Sequence, residues 1–168
     1  MPSEVSAGVL AYRLRGRVPE FLLVHPGGPF WARRDEAAWS IPKGLVGEGE
    51  ETWSAAAREF QEELGQPIAD AGEPSPLTPC RTKRGKVVVA WLVQADLDVS
   101  HLVSNTFEME WPPRSGRVQA FPEVDRAAYF PPRVALGKIH LGQRPILVEA
   151  ISRILGPDDA KMTQGEPR

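Results

Sequence analysis

Apolar residues along the chain fall into short runs with two different periods. Val5 to Arg13 (VSAGVLAYR) is dense in small and β-branched residues and predicts a buried strand. Arg15 to Pro19 turns, and Phe21 to His25 (FLLVH) predicts the hairpin partner. Pro26 to Ala38 opens with Pro-Gly-Gly-Pro, which cannot continue a ladder, and predicts a loop that carries Phe30, Trp31, Arg33 and Arg34. Trp39 to Lys43 predicts a short strand. A turn follows at Gly44, Gly47 and Gly49, and then Trp53, Ala56, Phe60 and Leu64 recur at three- and four-residue steps. That stripe belongs to a helix, and Gly65 stops it.

The second half is patterned less evenly. A connection from Pro67 to Pro79 leads to Arg81, Lys83, Arg84 and Lys86 at a basic hairpin tip. Val87 to Ala95 (VVVAWLVQA) has the continuous apolar character of a central strand covered on both faces. The pattern weakens from Asp96 to Trp111, stays irregular to Arg117, and resumes as a short strand at Val118 to Phe121. Val134 to Ile139 and Pro145 to Leu155 predict helices, the second with proline in its first turn and Gly156-Pro157 at its end. Residues 157–168 are polar, short of bulky side chains and predicted disordered. Residues 1–156 are expected to form one α/β domain, which suits a chain of this length.

Composition narrows the function classes. The formal net charge of -2 argues against a general nucleic-acid or anionic-membrane binder. Cys80 is the single cysteine, so there is neither an internal disulfide nor a cysteine metal cluster, and it reads as a small packing residue. No stretch reaches the roughly 18 apolar residues that span a bilayer, and the N-terminus lacks the basic region and long apolar run of a leader. A soluble, cytoplasmic protein is expected.

The predicted helix carries the candidate chemistry. Glu59, Glu62 and Glu63 share a face away from the apolar stripe, and at that spacing like charges destabilise an isolated helix by a few tenths of a kcal/mol per pair. A hard divalent cation turns the repulsion into coordination, because Mg²⁺ takes oxygen ligands and keeps positions open for waters and substrate phosphates. More than the acids is in register. Gly44, Glu50, Arg58, Glu59, Phe60, Glu62, Glu63 and Gly65 resemble the Nudix box, G-x5-E-x7-R-E-U-x-E-E-x-G-U, where U is bulky and apolar. The one departure is Gln66 at the last position, and Ile68 is placed to fill that packing site.

The resemblance implies a three-layer α/β/α sandwich with a mixed sheet and a metal-dependent hydrolase of phosphoric anhydride bonds. Its substrates are nucleoside diphosphates linked to another group. It also implies Mg²⁺, with Mn²⁺ able to substitute, held by the Gly44 carbonyl, Glu59, Glu62 and Glu63. Arg58 is expected to orient a box glutamate, and Glu50 to brace the loop or join the metal shell. The general base is Glu62 or a downstream glutamate; Glu123 has the best context, six residues before Tyr129, and Glu108 and Glu110 are the runners-up. Trp39-Ser-Ile-Pro-Lys-Gly44 is similar to a run in diadenosine polyphosphate hydrolases and makes Lys43 a phosphate contact. Trp31 and Arg33 in the aromatic loop and Arg84 at the basic tip are further candidates for substrate binding. Nucleoside triphosphates or dinucleoside polyphosphates are favoured as substrates, with ADP-ribose or another nucleotide sugar as the alternative. Some family members are non-catalytic modules, but those often lose a box glutamate. The expected partner is a small-molecule nucleotide, with no nucleic-acid polymer and no membrane; a homodimer is left open.

Overall fold

The computed structural model describes residues 4–68 and 72–158. Among the described residues the strands are β1 (Val5–Arg15), β2 (Val18–Pro26), β3 (Lys43–Leu45), β4 (Ser75–Pro76), β5 (Cys80–Arg81), β6 (Val87–Gln94), β7 (Thr106–Glu110), β8 (Val118–Pro122) and β9 (Val124–Phe130). With them are helices α1 (Thr52–Leu64), α2 (Pro132–Lys138) and α3 (Arg144–Leu155).

β1 is the strand on which the sheet is laid. It pairs in parallel with β6 from Val5–Val87 to Tyr12–Gln94. On its other edge it pairs antiparallel with β2 at Tyr12–Arg15 and with β3 at Ser6–Gly8. β1 and β2 therefore diverge, and the segment from Ser40 to Leu45 fills the gap between them. Val24 and Ser40 exchange both backbone hydrogen bonds, and Val9 N–H donates to the Pro42 carbonyl at 3.1 Å. The expected strand at Trp39–Lys43 is displaced to Lys43–Leu45. Pro42 has no N–H for a ladder, and the Ile41 N–H is taken by the Gln143 side-chain oxygen at 3.0 Å.

Side-chain alternation sorts the core onto the two faces of this mixed sheet. Leu10, Phe21, Leu23, Val88, Ala90 and Leu92 pack with Leu136, Ile139, Ile146, Leu147 and Ile151 from α2 and α3. Ala7, Val9, Ala11, Leu22, Val24 and Val93 face the opposite way, onto Ala55, Ala56, Phe60 and Leu64 of α1. The result is a three-layer α/β/α sandwich. The α1 stripe lies where its period puts it, with Trp53 half-buried at its margin. Gly65 closes the helix in the left-handed conformation, φ 74°, its N–H donating to the Gln61 carbonyl. Ile68 is buried in the α1 cluster, while the Gln66 amide donates to the Asp98 carbonyl at 2.8 Å. The missing apolar residue after the box is thus supplied two positions later.

The two-residue strands β4 and β5 fall in and just after the expected connection, and β7 and β9 were not legible in the sequence either. β9 pairs with β2 as an edge of the main sheet, and β7 pairs with β8 in a separate two-stranded ribbon. Both expected closing helices exist, starting at Pro132 and Arg144. No described helix is long and apolar enough to cross a membrane. Of the tail predicted to be disordered, residues 159–168 lie outside the described residues.

Phe60 is fully buried between α1 and the sheet. Phe60→Ala is expected to lower unfolding stability by about 3–5 kcal/mol, the usual loss of transfer energy plus a cavity. Trp53→Ala should cost clearly less, because that ring keeps contact with solvent. Chemical denaturation of both variants measures the difference; equal losses would contradict this placement of α1.

Candidate active site

The box helix and the loop before it are joined by one guanidinium. Arg58 Nε and Nη2 donate to the two Glu50 carboxylate oxygens at 2.9 and 3.0 Å, and Nη2 also donates to the Leu45 carbonyl at 3.2 Å. Nη1 donates to Glu59 at 2.9 Å and to both Glu62 oxygens at 3.2 and 3.3 Å. Glu50 further accepts the Gly47 N–H at 2.9 Å. The Arg58 bond, aided by that N–H, holds the Glu50 carboxyl down at about 2. Glu50 thus braces the loop, and Arg58 turns two box glutamates toward one side of α1.

Glu63 and Glu59 lie deeper. Burial pushes the Glu63 carboxyl up to about 8, and the Glu59 charge adds to this. The Lys43 ammonium and backbone N–H pull against the shift, and Glu123 reinforces it. The Glu63 Oε2 atom is buried without a hydrogen-bond partner, a costly state for a carboxylate oxygen. Glu59 is also raised, by burial first and against the pull of Arg58, with Glu62 and Glu123 adding repulsion. Its carboxylate occupies the space where a side chain at position 44 would stand, so Gly44 is the residue that admits it.

A cavity of about 350 Å³ opens over Glu63. Lys43, Lys86, Trp31, Glu123 and His140 stand around it. Burial pushes the Lys43 ammonium down; Glu63 opposes that and Lys86 adds to it. Glu63 is therefore repelled by Glu59 and Glu123, and Lys43 by Lys86, while Glu63 and Lys43 attract each other beside the same cavity.

The structure brings together Lys43, Trp31, Glu63 and Glu123 of the residues singled out in the sequence, with Gly44, Arg58, Glu59 and Glu62 directly behind them. Arg33 and Arg84 do not line the cavity. Arg33 is exposed on the loop, and Arg84 is exposed at the tip of the β5–β6 hairpin. Thr82 N–H donates to the Lys86 carbonyl and closes that turn, so the closing pair lines the cavity while the tip projects away. Glu108 and Glu110 alternate along β7 with Phe107 and Met109, and both are exposed on the ribbon's outer face. Among the described residues no three His, Cys, Asp or Glu side chains close on one point as a preformed cage; Arg58 holds Glu59 and Glu62 instead. The donor set is nonetheless all hard oxygen, and the orphaned Glu63 oxygen faces it, which suits a hard divalent cation.

A family model of the NUDIX domain matches residues 2–150. The chain belongs to the Nudix family. Over 61 residues it is 36% identical to Nudix hydrolase 7 of Arabidopsis thaliana, a stretch that makes up 36% of this chain and 20% of that protein. Its fold is similar to that of a C. elegans Ap4A hydrolase solved as a binary complex, with TM-score 0.63 and 22% identity, over 89% of this chain and 97% of that one. It is also similar to the NUDIX domain of Shewanella oneidensis NrtR solved with ADP ribose, with TM-score 0.62 and 14% identity, over 92% and 90% of the two chains.

Two contributions to this Nudix site were missed in the sequence. Lys86 belonged to a recognised basic cluster, and only its place in the turn separates it from Arg84. His25 is fully buried at the end of β2. Its Nε2–H donates to the Arg34 carbonyl at 2.6 Å, and its Nδ1 faces the Asp125 carboxylate at 2.7 Å. It ties the loop carrying Trp31 to the start of β9. The available signal was a histidine between an apolar run and a Pro-Gly break.

The raised Glu63 carboxyl sets a pH dependence. Between about 4.5 and about 8 the native state keeps a proton that the unfolded chain gives up. Stability of the chelator-treated protein should therefore fall as pH rises through that window and level off above it. Thermal unfolding from pH 5 to 9 measures this, and Glu63→Gln should flatten the decline. An unchanged slope in that variant would assign the effect to another group.

Proposed function

We propose that this Nudix chain is a metal-dependent pyrophosphohydrolase that cleaves a diphosphate linkage between a nucleoside diphosphate and another group. Nucleoside triphosphates and dinucleoside polyphosphates are the favoured substrates. The observation that supports the reading is the charge set at one cavity: Glu63, repelled by Glu59 behind it and by Glu123, stands beside the ammonium groups of Lys43 and Lys86, which repel each other. A diphosphate accompanied by a divalent cation is the ligand class that relieves both repulsions at once.

The Gly44 carbonyl, Glu59, Glu62 and Glu63 would hold the Mg²⁺, or Mn²⁺ in its place, with Arg58 fixing the directions of Glu59 and Glu62. Such an ion neutralises the anhydride oxygens and makes a bound water more acidic. Lys43 and Lys86 bind the phosphate oxygens in the same cavity. Glu123 stands at the cavity with an exposed carboxylate and no partner claimed from Arg58, and it acts as the general base. It takes the proton as the water oxygen bonds to phosphorus and the linkage P–O bond breaks. Glu62 is less suited to that role, because Arg58 contacts both of its oxygens.

A nucleotide sugar such as ADP-ribose is the alternative substrate, since the fold neighbours include both an Ap4A hydrolase and a domain bound to ADP ribose. A non-catalytic module is disfavoured by the complete set of box glutamates.

Phosphate release measured with coupled phosphatase, over nucleoside triphosphates, diadenosine tetraphosphate and ADP-ribose, tests the reading. Turnover should require Mg²⁺ or Mn²⁺ and stop with chelator. Glu63→Gln should cost about 10²-fold or more in kcat. Glu123→Gln should lower kcat by about 10²–10⁴-fold with KM within about two-fold. No turnover of any substrate would overturn the hydrolase reading, and a fully active Glu123→Gln would overturn the base assignment alone.

A further inference from the structure

The segment from Ser104 to Gly116 plays no part in the chemistry above, yet it builds a second cavity. The β7–β8 ribbon is anchored to the catalytic elements from both sides. Asn105 N–H donates to the Glu62 carbonyl of α1 at 3.0 Å, and Glu123 N–H donates to the Asn105 carbonyl at 2.8 Å. Gly27 N–H donates to the Glu123 carbonyl at 2.9 Å, and a side chain at Gly27 would collide with the Pro122 carbonyl. Phe107 lies against Gly28, whose φ of 94° already excludes most side chains. Phe30 meets Trp111 edge-on, with ring centroids 5.5 Å apart.

Strand alternation turns Phe107 and Met109 toward the loop and leaves Glu108 and Glu110 outside. Between ribbon and loop is a slot of about 470 Å³ walled by Phe30, Trp31, Phe107 and Met109. Pro26, Trp31 and Glu123 line both this slot and the Lys43–Glu63 cavity, so the two abut. Their chemistries differ sharply. The phosphate cavity carries two ammonium groups, whereas the slot carries ring faces, a thioether and, at the shared border, the Glu123 carboxylate.

We propose that this slot receives the planar base of the nucleotide whose diphosphate lies in the adjoining cavity. The proposal rests on the pyrophosphohydrolase reading for the identity of the phosphate cavity. An anionic group is excluded from the slot by Glu123 and by the absence of a cation among its lining residues. A flat heteroaromatic ring suits it, because every base has a π-face that stacks on aromatic side chains, and a polarisable sulfur packs well against such a ring. The backbone bond from Asn105 to Glu62 then fixes the slot relative to the box carboxylates, so that stacking the base also sets the position of the linkage.

Calorimetric titration of the Glu63→Gln chain with Mg²⁺ tests this directly. The probes are the four ribonucleoside triphosphates, diadenosine tetraphosphate and inorganic tripolyphosphate. At least one base-bearing probe should bind about ten-fold or more tightly than tripolyphosphate. Met109→Trp, which fills the slot, and Phe107→Ala, which removes a wall, should each erase that difference and leave tripolyphosphate within about two-fold. Glu108→Gln, on the outer face of the same strand, should change neither. The proposal is overturned if no nucleotide binds more tightly than tripolyphosphate, or if both slot variants weaken tripolyphosphate as much as nucleotide. If the wild-type chain turns over none of these probes but the base-dependent difference persists, the hydrolase reading fails and the slot stands.

Discussion

Arg58 links the glycine-rich loop to the acids of the box helix. Its guanidinium reaches Glu50 on the loop, Glu59 and Glu62 on the helix, and the Leu45 carbonyl at the end of β3. The contacts are partly open to solvent, with the Arg58 side chain 39% exposed, so each contributes little to stability, on the order of 0–1 kcal/mol. Their effect is geometric. β3 is fixed to the sheet by its pairing with β1, and the Arg58 contacts tie Glu50 and the Leu45 carbonyl of the loop to Glu59 and Glu62 of α1. With them the Glu59 carboxylate is held against Gly44, one turn of helix from the unpartnered Glu63 oxygen.

That arrangement runs against stability at several points. Glu63 is buried without a partner for one oxygen, Glu59 is desolvated, and Lys43 is pushed down by burial beside Lys86. The remaining structure offsets this with two full apolar layers, one on each face of the sheet. The divergence of β1 and β2 is part of the same design. It opens a gap that the Ser40–Leu45 segment fills, and this places Lys43 and Gly44 against the box helix. Buried, only partly compensated charge at one cavity, with the Glu63 Oε2 atom left without a partner, is the mark of a site shaped for a charged ligand.

The layers and the box were legible in the sequence because their signals are local. The Trp53–Leu64 stripe has a helical period, and the acids sit at fixed offsets from it. β1, β2 and β6 carry runs apolar enough to be strands whatever surrounds them. β7 and β9 were hidden for the opposite reason. Phe107-Glu108-Met109-Glu110 alternates over only a few residues, and its partner is a ribbon rather than the main sheet. β9 mixes Asp125 and Arg126 with small residues, because it is an edge strand with one side open. The misplaced cations have a common cause. Net charge marked the aromatic loop and the basic hairpin, but which cation faces inward depends on turn register, and that selects Lys86 over Arg84.

The central claim is that the buried Glu63 carboxylate becomes a ligand to a divalent cation. Its proton must leave when the ion binds, since burial, with the Glu59 charge, pushes the carboxyl up to about 8. Calorimetric titration of Mn²⁺ at pH 6.5, in buffers of different ionisation enthalpy, counts that proton. The account predicts release of close to one proton per ion bound, falling toward zero above about pH 9 and lost in Glu63→Gln. Binding without proton release at pH 6.5, or release that persists in Glu63→Gln, would contradict it.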